Sequence, residues 1–133
     1  MTAVDSSVVI DMLFGGPCAE ASAAALSDAA GSGPIVLSDV AFAEVCSRGD
    51  GEAVRKALQT IGFAFSPTTE TAAIRAGQMM KRYRLNGGGR ARIIADFLIG
   101  AHALIQCGTL ITYDGGFTRD YFKGLKVIVP TEQ

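Results

Sequence analysis

Residues 90–117, RARIIADFLIGAHALIQCGTLITYDGGF, decide the fold, because they read as a helix running into a short strand, with one acid on the helix and another just past the strand. Apolar side chains at Ile93, Ile94, Phe97, Leu98, Ala101, Leu104 and Ile105 recur at three-to-four spacing, which predicts a helix burying one broad face. At about 100° per residue, Asp96 falls roughly 130° from the centre of that stripe. Its carboxylate therefore rides on a buried element while facing away from the core. Gly108 supplies a helix stop, and Thr109 to Thr112 (TLIT) is a β-branched run of the kind found in buried strands. Asp114 follows at the strand's carboxyl end, the edge at which open α/β sheets bind ligands.

Outward from this stretch the same alternation repeats. Thr2 to Val4 reads as a first strand, Asp5 stands at its end, and Ser6 and Ser7 are good capping residues for a helix through Val8, Val9, Met12 and Leu13. Gly15, Gly16 and Pro17 break that helix, and an alanine-rich one follows from about Cys18 to Ala30. Ile35 to Leu37 is a second strand, after which Ser38 or Asp39 caps a helix that carries Glu44. Glu52 to Thr60 is amphipathic, Gly62 to Phe65 is a third strand candidate stopped by Pro67, and Thr68 to Glu70 cap a helix reaching about Leu85. Asn86-Gly87-Gly88-Gly89 is a flexible loop; beyond Asp114 come a Gly115-Gly116 turn, a helical turn over Phe117 to Phe122, and a last strand at Val127 to Val129. Strands alternating with helices predict an α/β domain, a parallel sheet of about five strands covered on both faces, with right-handed crossovers. At 133 residues the chain is expected to be one domain, 1–133.

Hydrophobic content of 49% supports a core without disulfides or structural metal. No apolar run approaches the ~18–20 residues that cross a bilayer. The N-terminus shows neither a basic region nor a small-residue cleavage pattern, so a cytoplasmic protein is expected. Cys18, Cys46 and Cys107 are odd in number and far apart, as structural thiols are, and His102 is the single histidine. It falls roughly 110° from the centre of the helix's stripe, on its margin, where a structural or solvated role is expected. Zinc chemistry and Ser/His/Asp catalysis both lose support.

Among thirteen acids, four hold special places: Asp5 and Asp114 after strands, Glu44 and Asp96 on helices that flank the same sheet edge. If the first and fourth strands are neighbours, Asp5 and Asp114 meet at the switch point of the sheet, and the two helical acids lean over them. Two carboxylates ~4 Å apart repel by about 4 kcal/mol at an effective dielectric of ~20. Such a cluster must bind protons or a divalent cation. Oxygen ligands without His or thiolate suit Mg²⁺ or Mn²⁺, and such an ion would activate water and stabilise a departing phosphodiester oxygen. The plainer alternative is four independent surface acids. Asp11 and Asp120 are read as solvated or supporting residues rather than ligands.

The formal charge is −1, which argues against a general nucleic-acid coat. Yet Arg75, Lys81, Arg82, Arg84, Arg90 and Arg92 follow one another with no acid between them, half of the twelve basic residues. They make a local positive field, either a solvated face or a footprint for a polyanion.

VDSSVVIDML around Asp5, SDVAFAEV around Glu44, RIIADFLIGAHAL around Asp96 and LITYDGGF around Asp114 together resemble the PIN domain, and within it the VapC-type toxin ribonucleases of toxin–antitoxin pairs. The four pieces span nearly the whole chain in the family's order. The resemblance implies a three-layer α/β/α sandwich and a metal-dependent endoribonuclease, using Mg²⁺ or Mn²⁺, whose carboxylates match Asp5, Glu44, Asp96 and Asp114. Ser7 and Thr112 match its supporting polar positions. It further implies a homodimer neutralised by a small VapB-type antitoxin, and structured RNA such as tRNA, rRNA or mRNA as substrate. Arg82, Arg84, Arg90 and Arg92 flank the glycine loop just ahead of the Asp96 helix and are the candidates for phosphate contacts, or for pairing with acidic groups of the antitoxin.

Two other readings compete with this one. A receiver-type signalling domain needs an adjacent acidic pair near the first strand and a Lys after a late one, but Asp5 is followed by Ser6-Ser7 and the late strand ends TYDGG. The other is a catalytically silent PIN-like module binding RNA or protein, and against it a binding surface for RNA gains nothing from concentrated negative charge.

Overall fold

Five short strands, β1 (Thr2–Val4), β2 (Ile35–Ser38), β3 (Ala64–Ser66), β4 (Thr109–Ile111) and β5 (Lys126–Ile128), form one sheet in the order β3-β2-β1-β4-β5. Every pairing is parallel. The structure is a computed structural model describing residues 1–131. The helices are α1 (Ser6–Leu13), α2 (Ala19–Ser32), α3 (Asp39–Cys46), α4 (Gly51–Ile61), α5 (Glu70–Leu85), α6 (Ile94–His102) and α7 (Gly115–Tyr121). They cover the sheet as a three-layer α/β/α sandwich. The chain builds outward from β1 through β2 to β3, then returns to lay β4 on the other side of β1. That reversal puts the switch point between β1 and β4, where Val4 pairs with Ile111 and the Asp5 N–H donates to the Ile111 carbonyl at 2.9 Å.

Local chemistry fixes the element ends. Ser38 accepts from the Ala41 N–H (3.1 Å), Asp50 from that of Ala53 (3.1 Å) and Thr69 from that of Ala72 (3.2 Å), each filling an otherwise unpaired donor at a helix start. The sheet's inner strands carry the core, with Val4, Leu37, Leu110 and Ile111 buried beside Phe97 of α6 and Phe122. Full burial of such side chains contributes roughly 1.5–3 kcal/mol apiece. β3 is an edge strand, and its Phe65 is exposed, stacked edge-on to Phe42 at 5.3 Å.

Helix α6 departs from the even stripe expected of it. Ile93 is its cap rather than a helical residue, and Ile93 and Ile94 are 56% and 46% exposed. Further along, Phe97, Ile99, Gly100, Ala101 and His102 are all buried, because α6 packs against both α3 and α5. His102 is thus interior, not marginal, and its Nε2 lies 2.9 Å from Ser66 Oγ. From Ala103 to Cys107 the helix continues as a π-turn, ending where the Gly108 N–H donates to the Ala103 carbonyl at 2.7 Å. Such i→i+5 bonding changes the angular step on which the stripe was counted, which leaves Ile105 38% exposed. No disulfide joins Cys18, Cys46 and Cys107. Among the described residues, no helix is long and apolar enough to cross a membrane.

Candidate active site

Asp5 takes the N-cap position of α1 in extended conformation (φ −68°, ψ 144°), which sets its carboxylate at the sheet edge. Thr112, buried at the end of β4, donates from Oγ1 to Asp5 Oδ2 at 2.8 Å and accepts from the Asp114 N–H at 3.0 Å. One hydroxyl therefore ties the acid after β1 to the acid after β4. Asp114 is held a second time through its carbonyl, which accepts from Thr118 Oγ1 at 2.8 Å. Asp96, in the first turn of α6, accepts from the Ile93 N–H at 3.0 Å. This bond fixes the start of the helix and orients the carboxylate, and a negative charge suits that end of the helix.

Asp5, Asp96 and Asp114 line a single small cavity of about 20 Å³ with Ile99, Gly100, Leu110, Phe117 and Thr118. That is room for about one water-sized occupant. Burial pushes the Asp5 carboxyl above its ordinary value, against hydrogen bonding from Thr112, the nearby Ser7 N–H and Ser6, while the charge of Asp96 adds to the rise. Two of the acids thus sense each other across the cavity.

Glu44 does not line this cavity. It faces an adjoining groove of about 480 Å³ that includes Ser6, Ser7, Asp11, Phe14 and Arg48, and it reaches the acids through Ser6, whose Oγ donates to Glu44 Oε1 at 2.8 Å and lies 3.4 Å from Asp5 Oδ1. The bridging hydroxyl is that of Ser6, buried against α3, while Ser7 is exposed and acts through its backbone. Ser6 was not singled out from the sequence; its i,i+3 relation to buried Val9 marks it as inward-facing. Asp11 accepts from Ser22 Oγ (3.4 Å) and the Cys18 N–H (3.5 Å), which joins α1 to α2, and Asp120 is exposed.

The four arginines separate. Arg82 sits 5.8 Å from the Tyr121 ring centre, Arg84 lies against Met80, and Arg84, Arg90 and Arg92 line an open groove of about 880 Å³ floored by Met80, Tyr83, Ile93 and Ile94. Arg92 differs from the rest. Its guanidinium grips Asp114 with both terminal nitrogens, Nη1 to Oδ2 and Nη2 to Oδ1 at 3.0 Å, and stacks on Phe117 with Cζ 4.0 Å from the ring centre. The bonds from Asp114 hold the guanidinium pKa above its usual value, against the opposing effect of burial. Its partner is 22 residues away, so a residue expected to face phosphate or an antitoxin is instead paired within the chain.

A hard divalent cation fits the chemistry of this donor set, three carboxylates around a space of about one water, with no thiolate or imidazole. The placement is not yet that of a ligand shell: among the described residues, no three His, Cys, Asp or Glu side chains are grouped so as to hold a metal ion. Arg92 occupies both oxygens of Asp114, and Glu44 faces the neighbouring groove.

Comparison with solved structures finds the same fold along the full chain. VapBC-1 from nontypeable Haemophilus influenzae aligns with TM-score 0.73 and 16% identity over 98% of each chain. VapBC2 from Rickettsia felis, bound to a DNA fragment from its promoter, gives 0.71 and 16% over 96% of this chain and 97% of that one. A toxin-antitoxin complex from Klebsiella pneumoniae gives 0.70 and 22% over 100% of both. No curated protein is similar enough in sequence to give a match. The PIN domain family model matches residues 2–123, and with the acids placed around the β1–β4 switch point this chain belongs to the PIN domain family.

Proposed function

We propose that this protein is a Mg²⁺- or Mn²⁺-dependent endoribonuclease and the toxin of a toxin–antitoxin pair. The observation that carries this reading is the convergence of Asp5, Asp96 and Asp114 on one small cavity at the carboxyl edge of a parallel sheet. These three would hold the cation, with Glu44 beside them through Ser6. When bound, the cation would supply a water of lowered pKa and stabilise charge on the leaving oxygen. The chain's own residues do the rest. Thr112 keeps Asp5 and Asp114 in register, Ser6 orients Glu44, and Arg84 and Arg90 offer charge to the RNA backbone along the groove leading to α6, with Arg82 outside it beside Tyr121. The toxin assignment is supported by the toxin–antitoxin complexes that share the fold, and it implies a VapB-type antitoxin covering the acid edge and a homodimeric toxin.

The deciding experiment incubates antitoxin-free protein with a panel of tRNA, rRNA and mRNA, with Mg²⁺ or Mn²⁺ and with chelator, beside Asp96→Asn. Cleavage that needs the cation and is lost in the folded variant supports the proposal. Intact RNA throughout, with RNA binding retained by both proteins, would make the chain a silent binding module.

A further inference from the structure

We infer that Arg92 is an intrachain counter-ion that competes with a divalent cation for Asp114, so that the acid cavity opens to the cation only when the guanidinium withdraws; this rests on the cation reading proposed above. Four observations converge on it. The guanidinium engages both oxygens of Asp114, the arrangement in which Arg binds carboxylate most selectively. Its positive charge stands at the rim of the cavity that Asp114 shares with Asp5 and Asp96, where a divalent cation would meet it as a like charge. Phe117, which lines the same cavity, carries the guanidinium on its ring face, so clamp and cavity wall are one unit. The side chains of Arg92 and Asp114 are 26% and 42% exposed, so both still reach water and the pair can open without unfolding anything around it.

The leash suits a part that moves. Arg92 lies between the glycine loop, where Gly87 has φ +82° and an added Cβ at Gly89 would meet nothing, and the first turn of α6. Arg92 also lines the open groove with Arg84 and Arg90. Once off Asp114, the guanidinium remains among the residues that face the RNA backbone. Cation and polyanion would then reinforce each other, the first taking Asp114 and the second taking Arg92.

A closed clamp lowers apparent affinity by the fraction of molecules that are open. For a partly exposed ion pair, that is about fivefold. Calorimetric titration of Mn²⁺ into purified full-length protein tests it directly. Arg92→Ala should bind Mn²⁺ about fivefold more tightly than the wild type, and Arg92→Lys, which keeps the charge but cannot make paired bonds, should recover part of that gain. Arg90→Ala removes the same charge from the same loop without touching Asp114, and its Mn²⁺ affinity should change less than twofold.

Equal affinity in wild type and Arg92→Ala, or an equal gain in Arg90→Ala, overturns the clamp while leaving the cation reading intact. Mn²⁺ uptake by none of the four proteins overturns both. Should Arg92→Ala fail to fold, the unaltered protein still decides, because reciprocity requires Mn²⁺ to expose the guanidinium. Modification of Arg92 by an arginine-selective dicarbonyl, followed by peptide mass, should then accelerate at saturating Mn²⁺; an unchanged rate refutes the inference.

Discussion

Thr112 Oγ1 lies 2.8 Å from Asp5 Oδ2 while accepting the Asp114 N–H at 3.0 Å, so a single buried hydroxyl sets the distance between acids 109 positions apart in the chain. Thr112→Val keeps the shape and removes both bonds. The Asp114 N–H would lose its acceptor and Asp5 a group that favours its charged form, so stability should fall by about 1–2 kcal/mol, read from urea unfolding. RNA cleavage should fall about 10- to 100-fold, as when the residues behind a ligand are removed. Thr112→Ser should restore most of both, since it returns the hydroxyl.

His102 makes stability depend on pH. Burial lowers its pKa below the ordinary value, against the nearby charge of Asp39 and hydrogen bonding at Ser66. The unfolded chain therefore takes up a proton, as pH falls through about 6.5, that the folded chain refuses. Unfolded chains bind more protons in that window, so stability is lost as the solution is acidified and is complete again near neutrality. His102→Gln should flatten the dependence of the urea midpoint between about pH 7 and pH 5. An unchanged slope would mean that His102 takes up its proton equally in the folded and unfolded chains.

The neighbourhood of β1 and β4 was legible because a doubly wound order sets the first and fourth strands side by side, so that acids at their ends share a switch point, and the sheet follows that order. Asp96 was legible as a candidate because angular counting sets its carboxylate off the apolar stripe of a helix that flanks the sheet edge. What the sequence conceals is long-range choice among similar partners. Ser6 and Ser7 are chemically identical; the spacing from Val9 turns Ser6 inward, but its partner Glu44 is set by the packing of α1 on α3. Arg92 has Asp96 at helical spacing, but it precedes the helix, so that spacing does not apply and its side chain is free to take Asp114. His102 was misjudged because angular counting describes one face of a helix, whereas α6 is packed on several.

Gly100 is where α6 leaves no room for a side chain. An added Cβ would meet the Phe122 ring at 2.3 Å, and that ring is itself buried, so it cannot swing away. Gly100→Ala should cost about 1–3 kcal/mol by overpacking. Since Gly100 also lines the acid cavity, the displaced helix should weaken Mn²⁺ binding together with stability. A variant with wild-type melting temperature would show that α6 can shift at no cost.

The basic groove can be tested through salt rather than through activity alone. If Arg84 and Arg90 contact backbone phosphates, each releases condensed counterions when RNA binds, and the logarithm of affinity falls linearly with the logarithm of salt concentration. Removing one such contact should reduce that slope by about 0.7 for single-stranded RNA and about 0.9 for a duplex, irrespective of sequence. Measured on the uncleaving Asp96→Asn background, Arg90→Ala and Arg84→Ala should each do so. Arg92→Ala should reduce it by less in the absence of divalent cation, because there the guanidinium is already neutralised by Asp114. Adding Mn²⁺ would be a poor comparison on that background, since Asp96 is one of the acids around the cavity; Ca²⁺ with the unaltered acids serves instead where it supports binding without cleavage. A slope that Arg84→Ala and Arg90→Ala both leave unchanged would assign this groove to a partner other than RNA.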